Sequence, residues 1–176
     1  MSKMMTGESD QRNEIFSTQV KSTHGKTKYL TFFLGKEEFG IEISRVIEII
    51  GVVPTVFIPQ LPGFYKGVIN LRGSIIPVMD LRSKLGMESI ETTGESVIII
   101  VQSNTRRMGL LADRVTEVLD INAEDIEETP EFDASISNRY IMGIGKKEEA
   151  IKILLDIDQI LEESIAKISG PINNLN

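Results

Sequence analysis

The side chains that most often carry catalysis are scarce in this chain of 176 residues. It contains no cysteine and a single histidine, His24. A thiolate nucleophile is therefore absent, and a histidine in a polar N-terminal stretch is poorly placed for a Ser-His-Asp or Cys-His arrangement. A zinc site would also have too few nitrogen or sulfur ligands. We interpret His24 as a solvated linker residue rather than a general base or a metal ligand.

Paired carboxylates and glycine motifs give no stronger enzymatic signal. Two carboxylates can divide the acid and base roles of a hydrolysis, but only when their geometry is fixed. The pairs in this chain fall in predicted turns, where a solvated surface role is expected: Glu37-Glu38, Glu127-Glu128 and Glu148-Glu149. Gly143-Ile-Gly145 lacks the third glycine and the following helix of a dinucleotide-binding loop. We therefore predict a protein that is not an enzyme and has no cofactor or metal, with a carboxylate-dependent hydrolase as the minor alternative.

The residues best suited to binding lie around Arg72. Two apolar runs, Val68-Ile69 and Ile75 to Met79, flank a polar turn that contains Gly73, and this pattern predicts a hairpin with Arg72 at its tip. A guanidinium in that position can bond to a carboxylate or to backbone carbonyls of a partner. The alternative interpretation is an ordinary solvated turn residue.

A proline and a short helix follow the tip of this hairpin. Pro77 removes one backbone donor from the second strand, which predicts a sheet edge or a bulge there. Asp80 stands where a helix N-cap belongs, ahead of Leu81 and Leu85 at i, i+4.

The hairpin pattern occurs twice in the chain. One constant offset carries Gly67 to Gly143 and Asp80 to Asp156. In the preceding segment a slightly smaller constant offset carries Gly40 to Gly109 and Glu48 to Glu117. These matches predict a duplicated unit with a longer loop in the second copy, although alternating strands can also align by chance. The repetition of Glu48 suggests a structural role shared by both copies.

The remaining pattern of the first unit predicts short strands and an apolar loop. Tyr29 to Leu34 and Phe39 to Ile43 form a predicted hairpin, and Val46 to Val53 forms a third strand. The loop from Pro54 to Tyr65 contains three prolines, so it cannot be a regular helix. Its apolar side chains either cap the mouth of a barrel, which we favour, or form a docking surface: Val56, Phe57, Ile58, Leu61, Phe64 and Tyr65.

The second unit repeats this order. Val97 to Val101 is an unbroken apolar strand, which predicts burial on both faces. Further strands are predicted at Met108–Ala112, Val115–Ile121, Tyr140–Ile144 and Ile151–Leu155. The final segment, from Asp156 to about Ile168, carries the apolar stripe of a helix.

We predict a mainly β fold of two five-stranded barrels with short helices and a C-terminal helix. Five strands in a unit would leave exposed edges, and closure into a small barrel removes them. The predicted organisation is a flexible N-terminal tail at residues 1–27, a first barrel at 28–90, a second barrel with the C-terminal helix at 91–168, and a tail at 169–176. A groove between the barrels would be a natural binding site.

Composition limits the partners and the compartment. The net charge of −7 and the pI of about 4.9 disfavour a nucleic-acid-binding protein, which needs a basic face. A double-barrel nucleic-acid-binding protein stays open as an alternative. No apolar run reaches the roughly 18 residues of a membrane span, and the N-terminus has no signal-peptide core. We therefore predict a cytoplasmic protein without direct membrane insertion.

Three sequence strings carry a resemblance to a known family. GVINLRGSIIPVMDLR, the earlier FFLGKEEFGIEISRVIEI and the later PEF at Pro130 to Phe132 resemble CheW, the chemotaxis coupling protein family. The resemblance covers about Lys28 to Ile165. It implies two five-stranded SH3-like barrels that form one CheW-like domain. It also implies a non-enzymatic adaptor that couples the cytoplasmic tips of chemoreceptors to the histidine kinase CheA at membrane-associated receptor arrays.

The resemblance also implies which residues contact each partner. Apolar positions at the end of the first barrel would pack on the regulatory domain of CheA, and Phe132 would belong to a second kinase interface. Glu48, Gly67 and Arg72 would contact the receptor. The first set of kinase positions is Leu30, Ile43 and Val46, although strand alternation equally makes Leu30 a core residue.

Overall fold

The computed structural model describes residues 25–129 and 136–168. Within them the strands are β1 (Lys26–Leu34), β2 (Glu37–Glu42), β3 (Val46–Gly51), β4 (Tyr65–Leu71), β5 (Ser74–Asp80), β6 (Val97–Ser103), β7 (Arg106–Ala112), β8 (Arg114–Asn122), β9 (Ile126–Glu127), β10 (Ile141–Lys147) and β11 (Ala150–Leu155). The helices are α1 (Leu81–Lys84) and α2 (Ile157–Ile168), and 3-10 turns occupy Ile43–Arg45, Ala123–Asp125 and Ile136–Tyr140. The predicted mainly β class is confirmed. Strand β1 begins at Lys26, inside the segment predicted as the N-terminal tail, and the rest of both predicted tails lies essentially outside the described residues.

The strands form two sheets, and each sheet takes strands from both predicted units. One sheet has six strands in the order β8-β1-β2-β11-β10-β9, and the other has five in the order β3-β6-β7-β5-β4. The predicted boundary near residue 90 therefore does not separate the two sheets. The sequence repeat specifies similar strands in both units, but it does not specify which copy each strand pairs with.

The exchange between units is reciprocal, and it agrees with the predicted duplication. The pair Leu30 with Val118 joins β1 to β8, and its counterpart in the repeat, Ile99 with Ile49, joins β6 to β3. The parallel pairing of β2 with β11 likewise corresponds to that of β7 with β5. The register shift between Tyr65 and Gly67 recurs between Ile141 and Gly143. The two units are thus related by an approximate twofold symmetry of their strand pairings.

Glycine occurs at the same place in both parallel pairings because the strands approach closely there. Gly40 lies opposite Leu154, and a Cβ on Gly40 would be 2.9 Å from Leu154 Cδ2. Gly109 lies opposite Val78, and a Cβ there would be 2.7 Å from Ile98 Cγ2. Since real Cβ contacts are longer, a side chain at either position would push the strands apart.

The main core lies between the sheets rather than inside either of them. Residues of both sheets and of α2 form one continuous apolar cluster that includes Leu30, Phe32, Ile99, Val101 and Leu161. The two sheets therefore pack on each other through this shared core, and the groove predicted between two barrels stays a prediction.

A smaller core covers the other face of each sheet. The predicted burial of Val97–Val101 on both faces is confirmed from Ile98 onward, because Ile98 and Ile100 belong to the core of the five-stranded sheet, whereas Ile99 and Val101 belong to the main core. The corresponding cluster in the six-stranded sheet contains Tyr29, Ile121 and Leu154.

The local predictions around α1 hold in part. Asp80 accepts a hydrogen bond from the Arg82 backbone N–H at 3.1 Å, so it is the predicted N-cap. Pro77 lies in β5, which is an interior strand, so the predicted sheet edge is wrong for the strand as a whole. The other predicted possibility, a bulge, agrees with the register shift between Tyr65 and Gly67, which lies opposite Val78 and Met79. Pairing of β5 with β7 begins only at Val78, and the proline therefore faces a single paired neighbour, β4.

No helix in the described ranges is long and apolar enough to cross a membrane.

Candidate interaction surface

Arg72 sits at the tip of the β4–β5 hairpin, as predicted, but it already has a partner. Its φ of 50° places it in the left-handed region, and the Gly73 N–H donates to Asn70 Oδ1 at 2.9 Å across the turn. Arg72 Nη2 donates to both oxygens of Glu48, at 2.7 and 2.8 Å. The side chain is nevertheless 68% exposed, whereas that of Glu48 is 28% exposed. Two predicted receptor residues thus form one ion pair, which sequence reasoning did not foresee.

The ion pair links opposite edges of the five-stranded sheet. Glu48 lies on β3 at one edge, and Arg72 follows β4 at the other. The pairing therefore requires the sheet to curl until its hairpin tip reaches β3. The counterpart of Arg72 in the second unit is Glu148, which cannot pair with Glu117. The predicted structural role shared by Glu48 and Glu117 is therefore wrong for this contact.

Gly67 holds a close contact between two backbone segments. It is buried, its φ is +136°, and a Cβ built on it would lie 2.2 Å from the Val56 carbonyl oxygen. Beside it, Val56 and Val68 exchange two backbone hydrogen bonds of 2.8 and 2.9 Å. The absence of a side chain at Gly67 therefore allows the proline-rich loop to be fastened to β4.

Apolar side chains are exposed along β3 and the loop that follows it. Ile47 and Ile49 of β3 are 46% and 41% exposed, and Val56 and Phe57 of the loop are 65% and 75% exposed. We call these four residues, together with Val52 and Val53, the apolar strip. The prediction that the loop side chains cap a barrel is wrong for Val56 and Phe57. It holds for Leu61 and Phe64, which are partly buried against the main core.

The predicted kinase residues lie at different depths. Ile43 and Val46 are partly buried and pack on the main core, so each presents only part of its surface. Leu30 is 2% exposed and belongs to that core. Any contribution from Leu30 to binding would therefore pass through the residues packed around it. Phe132 lies outside the described residues.

The turn that contains Ile43 is fixed to the C-terminal helix. Arg45 Nη2 donates to Asp158 Oδ2 at 2.5 Å, and the Ser103 hydroxyl bonds to the other carboxylate oxygen. The Tyr65 hydroxyl, whose pKa burial raises to about 12, donates to the Ser164 carbonyl oxygen at 3.1 Å. These contacts hold α2 against β6 and β4, so the start of β3 rests on a rigid support.

A cavity of about 610 Å³ opens beside the linker between the two units. Its floor is formed by the core residues Val78, Ile98 and Leu111, and Val52 and Val53 of the apolar strip line one wall. The apolar strip therefore continues into a depression that side chains of a partner could enter.

Among the described residues, no group of three or more His, Asp or Glu side chains is placed to hold a metal ion.

Comparisons with known proteins agree with the features of the sequence. The family model of the CheW-like domain matches residues 28–164. The chemotaxis protein CheW of Klebsiella aerogenes is 39% identical over 134 residues, which cover 76% of this chain and 81% of that protein. The chemotaxis protein CheW of Helicobacter pylori is 29% identical over 163 residues, which cover 88% of this chain and 98% of that protein.

A solved structure shows the same fold. The crystal structure of the scaffolding protein TtCheW from Thermoanaerobacter tengcongensis superposes with a TM-score of 0.73 at 33% identity, covering 85% of this chain and 99% of that one. Proteins of this family are non-catalytic scaffolds, so the chain is not an enzyme. Neither the hydrolase nor the nucleic-acid-binding protein left open by the sequence is the class that these matches indicate. The chain belongs to the CheW-like family of chemotaxis scaffold proteins.

Proposed function

We propose that this chain couples the cytoplasmic tips of chemoreceptors to the histidine kinase CheA, in the cytoplasm at receptor arrays. The observation that supports the proposal most directly is the apolar strip next to the Glu48–Arg72 ion pair. Large exposed apolar side chains on neighbouring positions are typical of a surface that binds another protein. The charged pair would add orientation and selectivity at its rim.

In this proposal β3 serves both partners. Ile43, in the turn before the strand, and Val46, its first residue, would contact the kinase regulatory domain together with the exposed Ile47. Glu48, Arg72 and the loop held by Gly67 would contact the helical receptor tip. A contact through a few partly exposed aliphatic side chains is small, and so it is weak and reversible. Weak contacts of this kind suit an array, in which several of them add.

Arg72 can serve the receptor without leaving Glu48. A guanidinium has five N–H donors, and the bonds to Glu48 use those of Nη2 with a longer contact of 3.4 Å from Nη1. The Nε donor has no partner among the described residues. Because Glu48 fixes the plane of the guanidinium, this donor is oriented before a partner arrives, which lowers the entropy lost on binding.

The kinase contact is tested with a charged residue in the apolar strip. Ile47→Asp should weaken binding to a CheA regulatory domain by tenfold or more, because the contact would bury an unpaired carboxylate. A matched control is Ile151→Asp, since Ile151 is 59% exposed on β11 of the other sheet. Titration calorimetry of the wild type and both variants gives the three affinities. Equal affinities for Ile47→Asp and Ile151→Asp, with both variants folded, would contradict the proposed surface.

A further inference from the structure

The strand exchange gives each unit a choice of partner. In the six-stranded sheet, β1 and β2 of the first unit pair with β8 and β11 of the second unit. In the five-stranded sheet, β6 and β7 of the second unit pair with β3 and β5 of the first unit. By sequence, a second copy of the same unit offers similar strands. An identical unit can come only from a second chain, and pairing with it is the alternative that the sheets would have to disfavour.

The glycine contacts of the two parallel pairings do not make this distinction. In the native pairings Gly40 faces Leu154, and Gly109 faces Val78. Pairing of two first units would place Gly40 opposite Val78, and pairing of two second units would place Gly109 opposite Leu154. A glycine faces an aliphatic side chain in all four combinations, so this contact is similar in each.

A polar network in the six-stranded sheet does make the distinction. Lys152 of β11 forms an ion pair with Glu38 of β2, and their side chains are only 6% and 13% exposed. Glu38 also accepts a hydrogen bond from Thr116 Oγ1 at 2.9 Å. Thr116 Oγ1 lies 2.6 Å from the hydroxyl of Thr31, which is fully buried. The network thus contains Thr31 and Glu38 from the first unit and Thr116 and Lys152 from the second.

The corresponding positions of the five-stranded sheet have different chemistry. The offset that relates Gly67 to Gly143 also relates Ile76 to Lys152, and the offset that relates Gly40 to Gly109 relates Glu38 to Arg107. Ile76 is 1% exposed in an apolar core, and Arg107 is exposed and donates to Gln102 at 3.0 Å. Thr31 corresponds to Ile100, which is buried in the same core as Ile76.

Pairing of identical units would leave a charge without a counter-charge, whether the sheet is built from two first units or from two second units. Two first units would place Glu38 next to Ile76, where its carboxylate would lose both Lys152 and Thr116. Two second units would place Lys152 next to Arg107, where two like charges meet at a buried position. A largely buried charge without a counter-charge is strongly destabilising. Only a first unit combined with a second unit satisfies all four positions.

We propose that the Glu38–Lys152 pair selects the partner in the strand exchange: it admits the other half of the CheW-like domain and rejects an identical half. The same rule applies when the other half comes from a second copy of the chain. The connection from Leu85 to Ser96 can span about 40 Å when extended. Two chains can therefore exchange halves reciprocally, provided that the charges match.

Charge reversal in the full-length chain tests the rule. Glu38→Lys alone and Lys152→Glu alone each place like charges together when a chain closes on itself. When the two variants are mixed, a reciprocally exchanged dimer contains two six-stranded sheets, each with one unit from each chain. One of these sheets pairs Lys at position 38 with Glu at position 152, and the other pairs the unsubstituted Glu38 with Lys152. Both sheets therefore contain only opposite charges. The double variant Glu38→Lys/Lys152→Glu restores opposite charges within one chain.

The readouts are mass in solution and resistance to urea. After refolding from urea, the wild type and the double variant should be monomers of about 19.6 kDa, and each single variant should unfold at a lower urea concentration. The equimolar mixture should give a dimer with one copy of each variant, identified by native mass spectrometry, with a urea midpoint closer to that of the wild type. If the single variants do not fold alone, a folded dimer that forms only from the mixture supports the same conclusion.

Three results would overturn the proposal. Single variants as stable as the wild type would show that the pair has no selective effect. A double variant no more stable than the single variants would show that the charges do not act together. A mixture that contains only the separate single variants, while the double variant recovers its stability, would show that the pair does not select between copies.

Discussion

At the scale of single residues, the Glu48–Arg72 pair is a better candidate for binding than for stability. An exposed ion pair contributes about 0–1 kcal/mol to folding, and the arginine of this pair is 68% exposed. The chain offers a closely matched comparison in Arg139 and Glu163, whose side chains are 68% and 29% exposed. Since the exposures are nearly equal, a difference between the two arginines in partner binding would reflect their positions on the molecule.

We expect Arg72→Ala to weaken binding of a receptor cytoplasmic fragment by about 1–3 kcal/mol, because charge-assisted hydrogen bonds at a protein interface typically have this value. The free energy of unfolding should change by less than about 1 kcal/mol. Isothermal titration and urea unfolding measure the two quantities. Arg139→Ala should leave receptor affinity unchanged. A folded Arg72→Ala variant with the affinity of the wild type would remove Arg72 from the receptor site.

The position of Arg72 was predictable from the sequence, but its partner was not. A polar turn between two apolar runs predicts a hairpin tip, because that pattern is local. The contact with Glu48 joins two separate strands and depends on how far the sheet curls, which no local pattern specifies. For the same reason the exposure of Val56 and Phe57 could not be read from their apolar character, since core and docking residues have the same composition.

At the scale of elements, the proline-rich loop and β4 act as one unit through Gly67. Two backbone hydrogen bonds join Val56 to Val68, and the glycine between strand and loop allows the backbones to approach. The sequence marked Gly67 through its place in a family motif and through its repetition as Gly143. Its physical reason, contact with the backbone of the preceding loop at Val56, appears only in the folded structure.

Gly67→Ala should destabilise the protein by about 1–3 kcal/mol, because it adds a Cβ at a strained φ and against the Val56 carbonyl. Hydrogen exchange should show lower protection of the Val56 and Val68 amides, which form the two bonds. Gly51→Ala is the control, since a Cβ on Gly51 meets nothing within 4 Å, and its effect should stay within about 0.5 kcal/mol. Equal protection of both amides in the Gly67→Ala variant would show that the loop tolerates the side chain.

At the scale of the whole molecule, the fold is a pair of units that complete each other's sheets. The duplication was predictable, because Gly, Glu and Asp recur at constant offsets. The exchange was not, since β1 could pair with the third strand of either unit without changing the sequence pattern. One consequence is mechanical: both sheets share the main core, so surfaces on either sheet are held by a single rigid body. A scaffold that holds two partners in a defined arrangement needs this property.

Two carboxyl groups couple the stability of this body to pH. Burial opposes ionisation of Glu38, but hydrogen bonds from Lys152 and Thr116 outweigh it and lower the pKa below its ordinary 4.5. Burial likewise opposes ionisation of Asp113, but bonds from Arg82 and from the Gly35 N–H lower its pKa below 3.8. The unfolded chain therefore binds protons at a higher pH than the native chain, and native stability falls as they bind.

We expect the urea midpoint to decrease as the pH falls from about 5 to 3, where the unfolded carboxyl groups become protonated first. The stabilisation from these two groups should be complete above about pH 5. Asp113→Asn should be less stable than the wild type at pH 7, and its midpoint should decrease less on acidification. A midpoint that stays constant or rises between pH 5 and 3 would contradict this assignment.

The most direct test of the proposed function is formation of a ternary complex. A chemoreceptor cytoplasmic fragment is immobilised, and the retention of a CheA regulatory domain is measured with and without this chain. We expect the kinase domain to be retained only when the chain is present, and we expect Ile47→Asp and Arg72→Ala each to reduce its retention. A folded chain that binds neither component, or one whose binding to the receptor excludes the kinase domain, would contradict the adaptor function.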